Sequence, residues 1–222
     1  AAARAWQAAR DASARFDGPA VSGDGDFAAV MERMRRIRAD ISPADSAARF
    51  RDEIGVDVFL GDGRFVAADA VEVDGKRLRF HRAVIATGAR AAIPPIEGID
   101  GVACLTNETV FSLTERPEHL AVIGGGPIGC ELAQSFARLG SEVTQIEMLP
   151  RIMIREDEEV SAFARAALEA DGVTVLTGHK ALRCEKRADG SKAIVVEAAG
   201  AERAIEFDVL LCAVGRSPRA PS

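Results

Sequence analysis

The chain has 222 residues, 48% of them hydrophobic, and a formal net charge of −6 at pH 7. This composition suffices for one large domain or two small ones with buried cores, and the acidic balance argues against a nucleic-acid or anionic-membrane partner. No apolar run approaches the ~20 residues of a transmembrane helix. We expect no signal peptide before the first helix and hence a cytoplasmic protein.

The four cysteines, Cys104, Cys130, Cys184 and Cys212, form no CxxC or CxxxxC pair. Cys130 and Cys212 lie within apolar runs, which is typical of buried thiols in a reducing compartment. We therefore expect no redox pair among them and no metal site in the chain.

The first 52 residues predict helices. Residues 1–17 are rich in Ala and Arg, and Asp26 is a candidate N-cap for a second helix that extends to about Ile41. The segment Ser42-Pro43-Ala44-Asp45 is similar to the start of a third helix, with a capping serine and a proline in the first turn.

Residues 56–86 predict β structure. Turn-forming Asp74-Gly75 and similar dipeptides separate short β-prone runs, which favours an antiparallel meander; these runs are Val56–Leu60, Arg64–Val66, Ala70–Val73 and Lys76–Phe80. The apolar run 83–86 predicts a buried strand that ends at Thr87-Gly88. Small residues at the carboxyl end of such a strand are typical of cofactor sites in open α/β sheets, although an ordinary turn explains them equally well.

The middle of the chain contains a strand, a glycine-rich turn, a helix and a second strand in close succession. The apolar run 120–123 is followed by Gly124-x-Gly126-x-x-Gly129, an amphipathic helix and another apolar run that ends in Glu147. Together these parts make the fingerprint of a dinucleotide-binding βαβ unit.

The residues of this fingerprint have separate physical roles. Gly124 permits a tight turn, Gly126 has no Cβ to keep a pyrophosphate away, and Gly129 lets helix and strand pack closely. Pro127 suits the first helical turn, where free N–H groups bind phosphate. Glu147 lies 18 positions after Gly129, which is close to the ~20 expected for an acid that binds the ribose.

Residues 148–215 continue the alternation of helix and strand. After a loop at 148–155, acidic residues favour a helix N-terminus over a metal cluster, and the predicted apolar face of that helix comprises Val160, Phe163, Ala167 and Leu168. A third parallel strand at 173–176 is predicted next. A second meander then precedes an apolar strand that ends at Gly215; its runs are His179–Lys186, Lys192–Glu197 and Arg203–Phe207.

The sequence of meander, apolar strand and small-residue turn therefore occurs twice. This duplication resembles the flavin-dependent pyridine nucleotide–disulfide oxidoreductases, as do ATG at Ala86–Gly88, GGGPIGCE at Gly124–Glu131 and AVGRSP at Ala213–Pro218. Four further segments are most similar to mercuric reductase-type members of that family, namely Arg35–Ser42, Asp57–Phe65, Arg82–Arg90 and Leu105–Glu115.

The resemblance implies an α/β fold in which a Rossmann-like NAD(P)-binding domain is inserted in a partial FAD-binding domain. The NAD(P)-binding domain would combine a parallel sheet with an antiparallel three-stranded meander. Residues 1–111 would belong to the partial FAD-binding domain, 112–215 to the NAD(P)-binding domain, and 216–222 to the return into the FAD-binding domain.

The resemblance also implies cofactor contacts. In the family, a reduced nicotinamide gives hydride to FAD, and the flavin passes electrons to a CxxxxC disulfide. By position, the NAD contacts would be Gly124, Gly126, Pro127, Ile128, Gly129, Glu147, Ala181 and Gly215, and the FAD contacts Gly63, Thr87 and Gly88. Glu131 matches a family Glu that pairs with a Lys near the flavin, and a plain helix-surface carboxylate is the alternative.

Other parts of the family pattern are absent from the 222 residues: the first FAD βαβ unit, the CxxxxC pair and a C-terminal dimerisation domain. We expect the full-length parent to use FAD and NAD(H), with NADP(H) less favoured, on mercuric ion, lipoamide or another disulfide. A homodimer is expected only with the dimerisation domain. The chain alone is expected to bind a dinucleotide without turnover. A dihydrolipoamide dehydrogenase-like enzyme and a non-catalytic dinucleotide-binding module are the alternatives.

Overall fold

The computed structural model describes residues 2–19 and 25–219. The helices are α1 (Ala2–Phe16), α2 (Phe27–Ile41), α3 (Ala47–Asp52), α4 (Pro127–Arg138) and α5 (Glu158–Ala170). The strands are β1 (Gly63–Ala67), β2 (Ala70–Val73), β3 (Lys76–Arg79), β4 (Ala89–Ala91), β5 (Leu105–Thr106), β6 (His119–Ile123), β7 (Glu142–Glu147), β8 (Val173–Thr177), β9 (Lys180–Lys186), β10 (Lys192–Ala198), β11 (Ala201–Phe207), β12 (Val209–Cys212) and β13 (Arg216–Pro218). None of the helices in these ranges is long and apolar enough to span a bilayer.

The chain divides into two compact units. Unit 1 comprises Ala1–Glu32 and Ala91–Gly215, and unit 2 comprises Arg33–Arg90 and Arg216–Ser222. The predicted boundary between residues 111 and 112 falls within unit 1, and residues 220–222 of the predicted final segment lie outside the described residues. The assignment of each segment to a cofactor stays a prediction.

Unit 1 is built on a five-stranded parallel sheet with the strand order β5-β12-β6-β7-β8. Strands of a parallel sheet are covered on both faces, which is why β6 and β12 are almost continuous apolar runs with buried side chains. The parallel sheet, with helices α4 and α5 between its strands, confirms the predicted Rossmann-like α/β fold. The short edge strand β5 was not predicted as a strand.

The antiparallel meander of unit 1 has the order β11-β10-β9, as predicted. Ala199 and Gly200 connect β10 to β11 with φ angles of 52° and 81°, as a two-residue hairpin of type I′ requires. Ile194 and Val196 of β10 belong to the same buried cluster as Ile146 of β7, so the meander closes the core of unit 1.

The N-terminal helices form as predicted. The N–H of Ala29 donates to Asp26 Oδ1 at 2.9 Å, so Asp26 caps α2. The ring of Phe27 lies 5.9 Å from that of Phe136 in α4. The prediction that Ser42 caps the third helix is wrong, because residues 42–45 form a separate 3-10 turn and Ser46 accepts from the N–H of Arg49 instead.

The apolar face predicted for the helix α5 is wrong in part. Phe163 is 78% exposed and Val160 is also exposed, whereas Ser161 and Leu168 are buried. The periodicity predicted the helix correctly but not which face it buries. Ser161 can lie on the buried face because its hydroxyl donates to the carbonyl of Ile152 at 2.7 Å.

Unit 2 contains the predicted first meander, with the order β1-β2-β3. Asp74 and Gly75 connect β2 to β3 with φ angles of 46° and 76°, the conformation that an Asp-Gly hairpin favours. Strands β4 and β13 form a separate two-stranded sheet.

The strands predicted at residues 56–60 and 83–86 do not form. Both segments lack regular structure, and Val84 is 92% exposed. A buried strand needs hydrogen-bonded neighbours, and none of the strands within residues 2–19 and 25–219 pairs with either segment.

Candidate nucleotide-binding site

A tight glycine turn connects β6 to α4. Gly124 has a φ angle of 112°, which is accessible to glycine at little cost, and its N–H donates to the carbonyl of Ile146 at 2.8 Å. A Cβ at Gly124 would collide with the carbonyl oxygen of Ala213, just beyond β12. The turn therefore lies between the carboxyl ends of three neighbouring strands.

The start of α4 is open. Gly126 is the N-cap residue, no side chain caps the helix, and a Cβ at Gly126 would meet no atom within 4 Å. Pro127 occupies the first turn, and the N–H groups of Ile128 and Gly129 have no acceptor within the helix at these positions. Free donors at the positive end of a helix dipole favour an anion such as a pyrophosphate.

Gly129 allows the helix to approach the turn. A Cβ at Gly129 would collide with the carbonyl oxygen of Gly124, which matches the predicted role in close packing. The same carbonyl accepts a hydrogen bond from Gln145 Nε2 at 2.9 Å, and Gln145 is fully buried in β7. Gln145 was not predicted as part of the site, because Thr144 beside it is also polar and nothing in the sequence of β7 marks Gln145 as the buried one.

Glu147 is held against the glycine turn. Its Oε2 accepts the N–H of Gly125 at 2.6 Å, and its Oε1 accepts the N–H of Leu149 at 2.8 Å. Each carboxylate oxygen can accept more than one hydrogen bond. The carboxylate at the end of β7 is thus fixed in place beside the start of α4 and retains acceptor capacity for a ligand.

The loop after β7 supports the turn from the other side, which the sequence did not reveal. The N–H of Met153 donates to the carbonyl of Gly125 at 2.7 Å, and Ile152 is buried against Gly125. The guanidinium of Arg151 donates to the carbonyls of Met153 and Glu156 at 3.2 and 2.9 Å. The sequence does not single out Ile152, because Met148, Leu149, Met153 and Ile154 in the same loop are also apolar.

The remaining predicted NAD contacts lie on neighbouring elements of unit 1. Ala181 is half-buried in β9. Gly215 is exposed just after β12 with a φ angle of 124°, and its carbonyl accepts the N–H of Ala92 at 3.0 Å. Glu131 is exposed on α4, and no ion pair of Glu131 is found among residues 2–19 and 25–219.

The predicted FAD contacts lie in unit 2. Thr87 Oγ1 donates to the carbonyl of Arg219 at 2.5 Å, and the carbonyl of Gly88 accepts the N–H of Arg219 at 3.0 Å. Gly63 starts β1, opposite Val73. All three predicted residues are exposed and offer backbone or hydroxyl groups.

One cysteine contacts the glycine turn, and two others contact each other. Cys130 Sγ lies 3.5 Å from the carbonyl oxygen of Gly125, and burial raises the pKa of the Cys130 thiol, so this thiol is neutral at pH 7. The Sγ atoms of Cys104 and Cys212 lie 2.6 Å apart, although 108 positions separate the two residues. The prediction of unpaired cysteines missed this contact because no sequence spacing indicates it.

Within the described ranges, no group of three or more potential ligands could hold a metal ion.

A parallel sheet, a glycine turn at an open helix start and an acid at the end of the second strand define a dinucleotide-binding α/β fold. The family model for pyridine nucleotide-disulphide oxidoreductases matches residues 14–221. The chain therefore belongs to the pyridine nucleotide-disulphide oxidoreductase family, whose members are flavin oxidoreductases that use FAD and NAD(P)H.

Curated relatives carry two different names. The chain is 40% identical over 167 residues to a mercuric reductase from Bacillus cereus. The aligned region covers 75% of this chain and 26% of the relative. It is also 40% identical over 168 residues to a dihydrolipoyl dehydrogenase from Thermus scotoductus, and this aligned region covers 74% of this chain and 36% of the relative. The chain thus spans about a third or less of either relative.

A solved structure with a similar fold is the HOCl-induced flavoprotein disulfide reductase RclA from Escherichia coli. The TM-score is 0.75 at 27% sequence identity, and the match covers 88% of this chain and 44% of that one.

Proposed function

We propose that the chain binds a nicotinamide dinucleotide at the glycine turn and Glu147. We further propose that it is the central part of an FAD-dependent NAD(P)H oxidoreductase whose full-length form reduces a disulfide or mercuric ion. The observation that carries the proposal is the carboxylate of Glu147, held at 2.6 Å from the N–H of Gly125 beside the uncapped start of α4. A pyrophosphate at the helix start would place a ribose toward this carboxylate.

NADH is the preferred nucleotide in this proposal. A carboxylate accepts hydrogen bonds from both ribose hydroxyls and repels a 2′-phosphate. Arg151, in the loop after β7, is a candidate phosphate ligand, but its guanidinium already donates to the carbonyls of Met153 and Glu156. This arrangement favours NADH over NADPH.

The substrate of the full-length protein is proposed from its relatives. Segments most similar to mercuric reductase favour mercuric ion, and a dihydrolipoyl dehydrogenase of equal identity makes a dithiol substrate the second candidate. FAD would supply the hydride acceptor, with Gly63, Thr87 and Gly88 as its contacts. These residues alone do not make a flavin site, so the flavin-dependent step is assigned to the parent and not to the chain.

Titration calorimetry of the 222-residue protein with NADH and NADPH tests the nucleotide proposal. The substitution Glu147→Gln removes the negative charge with little change in shape, and we expect it to weaken NADH binding by about 10- to 100-fold, since a hydrogen bond to a charged group contributes ~1.5–3 kcal/mol. Affinity for NADPH should fall less, so the preference for NADH should shrink.

The matched control is Glu158→Gln, which removes an exposed carboxylate at the start of α5 and leaves the glycine turn unchanged. It should leave both affinities unaltered. Tighter binding of NADPH than of NADH by the unmodified protein would show that the assigned role of Glu147 is wrong, and binding of neither nucleotide would contradict the proposal as a whole.

A further inference from the structure

Cys104 and Cys212 lie on adjacent strands of the parallel sheet. Cys104 directly precedes the edge strand β5, and Cys212 ends β12. In the register of the two strands Cys212 lies opposite Thr106, two positions beyond Cys104. Since side chains alternate between the faces of a strand, residues 104 and 106 share a face, and the thiols of Cys104 and Cys212 meet on it.

The two sulfur atoms are already close to bonding distance. They lie 2.6 Å apart, whereas a disulfide bond measures about 2.05 Å. Cys104 is partly exposed and Cys212 is 1% exposed. An oxidant from solvent would therefore reach Cys104, with Cys212 behind it in the core.

The thiols of this region differ in their acidity. The hydrogen bond with the Cys212 thiol lowers the pKa of Cys104, because the proton stays on the more deeply buried sulfur. Burial and the neighbouring Cys104 raise the pKa of Cys184 to about 11, so Cys184 stays a neutral thiol at pH 7. Because thiolates are the reacting species, Cys104 is the nucleophile that the structure favours.

We propose that Cys104 and Cys212 are an oxidisable dithiol, which a two-electron oxidant of the peroxide class converts into an intrachain disulfide. Cys104 first releases its proton to solvent, and its thiolate sulfur attacks one oxygen of hydrogen peroxide; an S–O bond forms and the O–O bond breaks. The hydroxide that leaves takes up a proton from solvent and becomes the first water. The sulfur of Cys212 then attacks the sulfur of Cys104. The S–S bond forms, the S–O bond breaks, and water leaves with the proton of Cys212. The thiols lose two electrons in total, and hydrogen peroxide is reduced to two waters.

The disulfide would fasten the edge of the sheet next to the glycine turn. The edge strand β5 has only two residues, and its one strand partner in the sheet is β12. The residue after Cys212, Ala213, donates its N–H to the carbonyl of Ile123 at 2.8 Å and contacts Gly124 through its own carbonyl. Oxidation thus acts at the strand end that supports the turn, without using any of its proposed nucleotide contacts.

Thiol counting on the full 222-residue protein tests the proposal. The reduced protein is treated with hydrogen peroxide, denatured and assayed for free thiols. We expect the count to fall from four to two, the intact mass to fall by two hydrogens, and dithiothreitol to reverse both changes. Mass spectrometry of digested protein should show Cys104 linked to Cys212.

Variants separate this pair from the other thiols. Cys104→Ser and Cys212→Ala should each abolish the loss of two hydrogens, whereas Cys130→Ser should retain it. Because Cys104 is partly exposed, the Cys104→Ser variant should fold, and it remains informative if the Cys212→Ala variant does not. A count that stays at four, a mass gain from added oxygen without a disulfide, or a link that involves Cys130 or Cys184 would overturn the proposal.

Discussion

The two units contain similar local structure but bury it to different extents. Each has a three-stranded antiparallel meander with a two-residue hairpin turn. In unit 1 the meander strand β10 has Ile194 and Val196 fully buried in the core, whereas in unit 2 Phe65 and Val66 of β1 are exposed. The residues of the turn are therefore enough to specify a hairpin, but the apolar face of the hairpin is buried only where a second layer of structure covers it.

The distribution of the core follows the same division. Within the described part of unit 2, the buried apolar residues are Ala70 and Val73. Its exposed large apolar residues are Ile37, Ile41, Phe50, Ile54, Val56, Phe59, Leu60, Phe65, Val66, Val84 and Ile85. Since burial of apolar surface is the dominant favourable contribution to folding, unit 1 should have the higher free energy of opening.

Limited proteolysis provides the largest test of this comparison. Thermolysin cuts before apolar residues in segments that are already open, and residues 56–60 and 83–86 of unit 2 are irregular and mostly exposed. We expect these segments to be cut at least about tenfold faster than any strand of the five-stranded sheet, because a packed sheet must open before cleavage. Mass spectrometry of the first fragments checks this. Early cuts in β6, β7 or β12 would reverse the comparison.

A matched pair of leucine substitutions compares the two units energetically. Leu210 in β12 is fully buried, and Leu60 in unit 2 is 75% exposed. Leu210→Ala should lower the free energy of unfolding by ~2–5 kcal/mol through lost burial and a cavity. Leu60→Ala should change it by less than ~0.5 kcal/mol. Urea denaturation followed by far-ultraviolet circular dichroism measures both values. Equal losses would show that Leu60 is buried in solution.

The sequence predictions were also more accurate for unit 1 than for unit 2. The elements of the nucleotide-binding βαβ unit were predicted because strand, glycine turn and helix are encoded by neighbouring residues, and Gly124, Gly129 and Glu147 lie where the pattern indicates. The strand predicted at 83–86 failed because an apolar run specifies a buried strand only if other strands pair with it. Local patterns predict local structure, and tertiary partners decide the rest.

The residues that hold the glycine turn in place were predicted less well than the residues proposed to contact the nucleotide. Gln145 and Ile152 hold the glycine turn, yet each contacts a residue more than 20 positions away along the chain. The approach of Cys104 to Cys212 is the extreme case, since it arises from strand order alone. A single sequence contains no signal for such long-range pairs.

The smallest expected effect concerns one ion pair in each unit. Asp171 of unit 1 is 11% exposed at its side chain; it accepts from Arg138 at 2.8 and 3.0 Å and from Gln134 at 2.7 Å, joining α4 to the end of α5. Asp69 of unit 2 pairs with Arg79 in solvent. Asp171→Asn should destabilise the protein by ~1–3 kcal/mol, because the charge-assisted hydrogen bonds of a mostly buried group are weakened.

Asp69→Asn should cost less than ~0.5 kcal/mol, since exposed ion pairs are screened by water and salt. Urea denaturation at low and at high salt separates the two cases. The loss from Asp171→Asn should persist at high salt, because its partners exclude most of the solvent, whereas any loss from Asp69→Asn should vanish. A loss from Asp171→Asn that also vanishes in salt would mean that this contact between α4 and α5 is open to water, and that unit 1 is packed less tightly there than its central sheet.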